Sequence, residues 1–403
     1  MIPAALGGKP AFEKPLYVGA PFVEPETRAL YHRLMDDAFE RNYLTNSGPH
    51  ALELERQVAR LHGVEHCAVI CNATIAQILL LKALRLSGEV ILPSFTFIAT
   101  AHAVLWENLT PVFCDIDAGT CMADPAHVES LITPRTCAII GVHLFGNVCD
   151  APALEAIARR HGLALLFDAA HAFGCSLGER SVGGFGKAEF LSFHATKFFG
   201  TFEGGAILTN DSELDRHARM LRNFGFRGYD DVGFLGINGK MSESSAAMGL
   251  ASLPRVAERI ERNRATRDIY RRHLGVIPGI SILPSGVRGR SNHQYLVAFV
   301  DSDAFGLSRD LLVAALWREN VIVRKYFHPG CHEMDFYRSR FRGAAPPLPV
   351  TESAARRVVC FPMNLPSPER DAPRIAEIAA NIRDHAKEIV EWDRQSNSKE
   401  SSF

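Results

Sequence analysis

Leu163-Ala-Leu-Leu-Phe167 is an unbroken apolar run that stops at an acid, Asp168. A strand with no polar position has both faces covered, which is the condition of a parallel sheet held between helix layers. Short apolar runs recur before and after it, at residues 67–70, 89–93, 111–117, 137–143, 190–193 and 203–209. Stretches with helical spacing separate them, among them 72–86, one that follows Ser94–Thr100 and runs to Trp106, 153–161 and 211–222. Strand alternating with helix predicts an α/β fold with a mostly parallel sheet.

A chain of 403 residues is too long for one core, so at least two packed units are expected. Residues 1–25, with scattered Pro and Gly, read as an irregular N-terminal arm. Residues 26–253 read as the large sheet-bearing domain. Pro254 opens a long charged helix that bridges to a smaller α+β domain, the two together spanning 254–392. That domain has expected strands at 293–299 and 321–323, a helix at 308–319 between them and a closing helix at 375–392. Residues 393–403 are polar and expected to be a disordered tail.

The composition narrows the function. Hydrophobic residues make up 47% and charged residues 22%, ordinary values for a globular protein in water. A net charge of −1 leaves no basic excess for nucleic acid or an anionic membrane. No run reaches the ~18 apolar residues of a membrane-spanning helix, and the N-terminus has no apolar run suited to a signal peptide. The nine cysteines are odd in number and irregularly spaced, so they read as reduced thiols in a cytoplasmic protein.

In an open α/β sheet, ligands gather at the carboxyl ends of the strands. The distinctive polar residues of this chain follow strand ends: Asn72-Ala73-Thr74, Asp168 and His171, and Lys197. The first of these opens a helix whose leading N–H groups have no internal partner and can receive a phosphate; the same residues also suit an ordinary N-cap. Lys197 follows a strand and a His-Ala-Thr link and precedes a loop opened by glycine. In a dry pocket such a lysine has a lowered pKa, and its neutral amine attacks carbonyls; the alternative is an exposed lysine after a strand.

Other motifs lead elsewhere. Gly183–Lys187 lacks the phosphate-loop spacing and has Ala188 where a hydroxyl should stand. Asp115 and Asp117 could suggest metal or acid–base work, but acids in the turn after a strand are commoner. His328, Cys331 and His332 are close enough for zinc, but no second ligand pair is evident and no metal is expected.

The segment 190–205 resembles the Schiff-base lysine segment of the DegT/DnrJ/EryC1/StrS family of pyridoxal-phosphate-dependent sugar aminotransferases. The resemblance spans residues 10–385, with the motifs in the same order. It implies the fold type I architecture of pyridoxal-phosphate transferases, with Lys197 as the Schiff-base lysine and Asp168 paired with the pyridinium nitrogen. It also implies His171 near the ring's phenolic oxygen and a phosphate held by Ala73, Thr74 and Ser192. Ala73 stands where the family usually has glycine. Phe97 would stack on the ring, with a core phenylalanine as the lesser alternative. The motif from Gly236 resembles the family's Gly-x-Asn-x-Arg segment, implying that Asn238 reaches the phosphate of a neighbouring subunit in a homodimer with shared sites. Lys240 takes the arginine position, keeping the charge without the planar fork.

Residues 324–332 resemble the segment of family members acting at C4 of dTDP-linked 6-deoxy sugars. That places Tyr326, Phe327 and His328, together with Lys240, as substrate contacts. The implied reaction moves an amino group from L-glutamate to a nucleotide-linked keto sugar, dTDP-4-keto-6-deoxyglucose, giving dTDP-4-amino-4,6-dideoxyglucose. The alternatives are another keto sugar aminated at C3, a keto cyclitol, or a regulatory protein that binds pyridoxal phosphate. A regulator would carry an added DNA-binding segment, for which the short neutral N-terminus has no room. The family's dehydratases replace the lysine by histidine, and a silent scaffold needs neither Lys197 nor Asp168.

Overall fold

Strands without polar positions are sorted by the two-residue period of side-chain direction. The computed structural model describes residues 2–341 and 347–400. Within it, seven strands form one sheet: β1 (His66–Ile70), β2 (Glu89–Pro93), β3 (Thr110–Cys114), β4 (Thr136–Val142), β5 (Ala164–Asp168), β6 (Ala188–Ser192) and β7 (Gly205–Thr209). Their spatial order is β1-β7-β6-β5-β4-β2-β3. β2 to β6 run parallel, and β7 is antiparallel to both its neighbours.

On β5, Leu165 and Phe167 enter the core on one face and Leu166 the core on the other. β2 divides in the same way, Ile91 against Val90 and Leu92. The helices Pro49–His62 and Ala151–His161 cover the first face. The helices Ala73–Ala83, Ile98–Trp106 and Ser212–Leu221 cover the second. The chain passes from β2 outward to β3, then returns to the other side of β2 as β4. The order therefore reverses between β2 and β4, and such a reversal leaves a crevice at the carboxyl ends.

The helix Val256–His273 leads to a second core around Tyr270, Leu296, Phe361 and Ile375. It rests on an antiparallel sheet of β8 (Ile280–Ile282), β9 (Leu296–Val300) and β10 (Val358–Phe361). β8 and β10 escape sequence reading because they are too short to show a period. The N-terminal residues join this core. Ala5 is buried in it, Leu16–Tyr17 pairs with Val321–Ile322, and the Glu319 carboxylate accepts the Ala4 and Ala11 N–H groups at 2.6 and 2.9 Å.

The C-terminus corrects the expectation. The single closing helix is two, Pro368–Asp384 and Ala386–Glu400, broken at His385. The second runs through residues 393–400, where a disordered tail was expected; residues 401–403 lie outside the described residues. Ile389 is buried and anchors this helix, and extending an existing helix is far easier than starting one.

Several polar motifs prove to be structural. Asp115 accepts the N–H groups of Val350 and Thr351, fixing the start of the helix Pro349–Arg357, and Asp117 accepts those of Gly119 and Thr120 in a turn. The glycine cluster 183–186 closes on the Glu189 carboxylate, which accepts from Gly183 and Phe185. Cys331 donates to the Thr96 carbonyl, and His332 Nδ1 lies 2.6 Å from Ser94 Oγ, tying the loop to the end of β2. Among the described residues, no helix is long and apolar enough to cross a membrane.

Candidate active site

The carboxyl ends of β1, β2, β4, β5 and β6 open onto a cavity of about 610 Å³. Lys197 enters it from the loop after β6, which is closed by backbone bonds from Phe193 N–H to Gly204 O and from Ala195 N–H to Phe202 O, both 2.8 Å. Enclosure by protein disfavours the ammonium and pulls the Lys197 pKa down to about 8, against the opposing pull of Asp168.

Asp168 is the last residue of β5 and is buried. Its carboxylate accepts from Thr100 Oγ1 at 2.7 Å and from Ala170 N–H at 3.0 Å. Burial pushes its pKa up, while Ala170, Thr100, Lys197 and His143 pull the other way. A buried carboxylate on a cavity wall, still disfavoured as an anion, favours a cationic ligand group beside it.

His171 is buried against the rings of Phe145, Phe327 and Tyr295. Its Nδ1 accepts the Phe145 N–H at 3.4 Å, and Nε2 lies 3.5 Å from the Tyr295 hydroxyl. Burial and the nearby Lys197 drive its pKa well below the usual range. The ring is therefore neutral at pH 7, with its proton on Nε2.

At the helix Ala73–Ala83, both readings of the turn hold together. Asn72 Oδ1 caps the Ile75 N–H at 2.9 Å. The leading N–H groups of Ala73 and Thr74 belong to the set that a helix leaves unpaired internally, and both residues line the cavity. Ser192 lies across β7 from this turn, paired in register with Gly205. A Cβ on Gly205 would come within 2.7 Å of Ala73 N, so only glycine lets β7 lie this close.

Phe97, 55% exposed, lines the cavity with its ring centre 6.4 Å from that of Phe327. Tyr326 and Phe327 form the wall contributed by the smaller body. The cavity thus brings together Ala73, Thr74, Phe97, Asp168, His171, Ser192, Lys197, Tyr326 and Phe327.

Three expected residues stand outside it. His328 turns away, its N–H on the Lys325 carbonyl and its ring near Arg309, Lys325 and Asp310. Lys240 bonds to Asn223 Oδ1 at 3.0 Å and sits over the Phe224 ring. Asn238 bridges to Asn223. Sequence reading missed Thr100, Tyr295, His194 and Glu203. Thr100 meets Asp168 from 68 residues away and no local pattern marks it. The polarity of His194 and Glu203 within an apolar stretch is the signal that could have found them.

The lowered lysine pKa has a direct consequence. Only neutral amine reacts with an aldehyde, so trapping of Lys197 by pyridoxal and borohydride should rise with pH through a midpoint near 8, not the 10.5 of a free lysine. Mass spectrometry of the modified peptide across a pH series checks this, and a midpoint in the free-lysine range refutes the enclosure.

The family model described as the DegT/DnrJ/EryC1/StrS aminotransferase family matches residues 26–380. The chain is 40% identical over 354 residues to a dTDP-4-amino-4,6-dideoxy-D-glucose transaminase of Shigella dysenteriae, covering 87% of this chain and 95% of that one. It is 38% identical over 330 residues to a protein of the same name from Escherichia coli, covering 82% and 89%. Its fold superposes on a crystal structure of DesI determined in the presence of its TDP-sugar product, with a TM-score of 0.92 and 44% identity over 97% of this chain and 98% of that one.

Proposed function

The chain belongs to the DegT/DnrJ/EryC1/StrS aminotransferase family, and on that premise we propose that it uses pyridoxal phosphate to move an amino group from L-glutamate to dTDP-4-keto-6-deoxyglucose, giving dTDP-4-amino-4,6-dideoxyglucose. The observation that carries this reading is the pairing of Lys197 with Asp168 on one cavity wall, an amine of lowered pKa and a buried carboxylate at the ends of adjacent parallel strands.

The donor set fits the cofactor. Asp168 would meet a ring nitrogen that must stay protonated, the neutral His171 would meet a phenolic oxygen, and Phe97 would meet a flat ring face. The leading N–H groups of the helix Ala73–Ala83 and the Ser192 hydroxyl meet a phosphate. When bound, pyridoxal phosphate supplies an electron sink that stabilises negative charge on the carbon losing a proton. Lys197 would hold the aldehyde, and its amine, when free, would take the proton from the donor's α-carbon. The same nitrogen delivers a proton to the sugar carbon in the second half-reaction, so one base serves both.

Among the described residues, no arginine lines this cavity, so the carboxylates of glutamate would need a cation from elsewhere. Asn238 and Lys240 of a second copy would bring polar and charged groups to it, which makes the functional unit a homodimer. The surrounding stretch exposes Phe224, Tyr229, Leu235 and Ile237, apolar groups suited to burial in such an interface.

The test is spectroscopic. Protein supplied with pyridoxal phosphate is expected to gain a visible band that L-glutamate bleaches and dTDP-4-keto-6-deoxyglucose restores. A protein that remains colourless overturns the cofactor. A band that other nucleotide keto sugars restore and this one does not overturns the substrate.

A further inference from the structure

Two polar side chains on the lysine loop have no part in the roles above. The backbone bonds Phe193 N–H to Gly204 O and Ala195 N–H to Phe202 O bracket His194 and Glu203, setting them opposite each other. The buried Thr201 secures the turn, its hydroxyl donating to the Glu203 carbonyl at 3.0 Å. Both His194 and Glu203 line the cavity that holds Lys197.

Hydrogen bonding sets their polarity. The Thr196 N–H, which can only donate, reaches His194 Nδ1 at 3.2 Å beside the Thr196 hydroxyl at 2.8 Å, and the tautomer that accepts from both has its proton on Nε2. Nε2 faces Glu203 Oε1 at 3.6 Å, longer than a hydrogen bond, and both side chains are largely open to solvent. The carboxylate accepts only, and this contact leaves most of its lone-pair sites for a ligand.

Resting on the function proposed above, we infer that Glu203, set beside His194 on the cavity wall, is the hydrogen-bond acceptor for the ring hydroxyls of the keto-sugar substrate. A keto hexose presents hydroxyl donors beside its carbonyl, and hydroxyl-to-carboxylate bonds are charge-assisted. The same charge acts oppositely on the other substrate, because a carboxylate at the cavity wall repels those of glutamate. Glu203 thus favours a neutral polyol over an anionic keto acid as acceptor at a site that must also pass an anionic donor.

Glu203→Gln separates the two effects. The acceptor kcat/KM is expected to fall about tenfold to a hundredfold, the loss from one hydrogen bond to a charged group. The glutamate KM should stay level or decrease. Calorimetric binding of the nucleotide amino-sugar product should weaken by a factor similar to the acceptor loss. Sugar analogues lacking the 2- or 3-hydroxyl should lose less in the variant than in the wild type. Bleaching of the variant by glutamate shows that its site is formed. An acceptor kcat/KM within about twofold of wild type overturns the inference, and so does an equal loss on both substrates, which marks a purely structural role. If wild-type protein is bleached by glutamate and no nucleotide keto sugar restores it, the substrate reading fails first and this inference with it.

Discussion

Replacing Lys197 by alanine is expected to lower amino transfer by at least about ten-thousandfold, the upper scale of losing a positioned acid–base group that is also the covalent anchor. The fold should survive. Burial and the field of Asp168 are the influences on this side chain, and its truncation enlarges an existing cavity instead of opening a void in packed core. The Ala73–Thr74 turn and Asp168 are untouched, so on the proposed reading the variant should still bind pyridoxal phosphate, without a covalent bond. Two measurements check this: turnover with glutamate and the keto sugar, and mass spectrometry after borohydride, which should leave the variant unmodified. Small primary amines added to the variant should restore part of the rate by supplying the missing base. Full turnover without them would remove Lys197 from the chemistry.

The sheet was legible because its strands are short, largely apolar and spaced by helices, and because a parallel strand buried on both faces carries a polar residue before its end only where it is fully satisfied, as Glu189 of β6 is by the Gly183 and Phe185 N–H groups. That same constraint concentrates Asp168, His171 and the Asn72-Ala73-Thr74 turn after the strands, so much of the cavity wall could be read from linear position. What could not be read depends on closure in three dimensions. Thr100 reaches Asp168 only because the turn after β2 folds toward the end of β5. His194 and Glu203 face each other because backbone bonds bracket them, which no spacing rule reveals. His328 sits beside two cavity residues yet turns away, since one step along an irregular loop can reverse a side chain. The helix through residues 393–400 was missed because composition judges a segment alone, while the buried Ile389 upstream had already anchored it.

Asp168→Asn isolates charge from shape. An asparagine amide has the same outline, its oxygen can still accept the Ala170 N–H, and the Thr100 hydroxyl can rotate to accept from the new NH₂. Binding of pyridoxal phosphate should persist, while amino transfer falls roughly a hundred- to a thousandfold, the scale of removing one preorganised electrostatic partner. A second readout reports the charge itself. Asp168 holds the Lys197 ammonium's pKa up against burial, so its neutralisation should move the pyridoxal-trapping midpoint below 8. Stability of the cofactor-free protein should move the other way from activity. The Asp168 pKa is raised in the folded state, so its contribution is fully present below the unfolded pKa and is lost as pH rises through the folded one. At pH 7 the wild type carries that cost and the asparagine variant does not, so the variant's Tm should be equal or higher. Unimpaired turnover would exclude Asp168 as the partner of the ring nitrogen. A lowered Tm with an unmoved trapping midpoint would show that the carboxylate serves the fold and not the charge balance of the site.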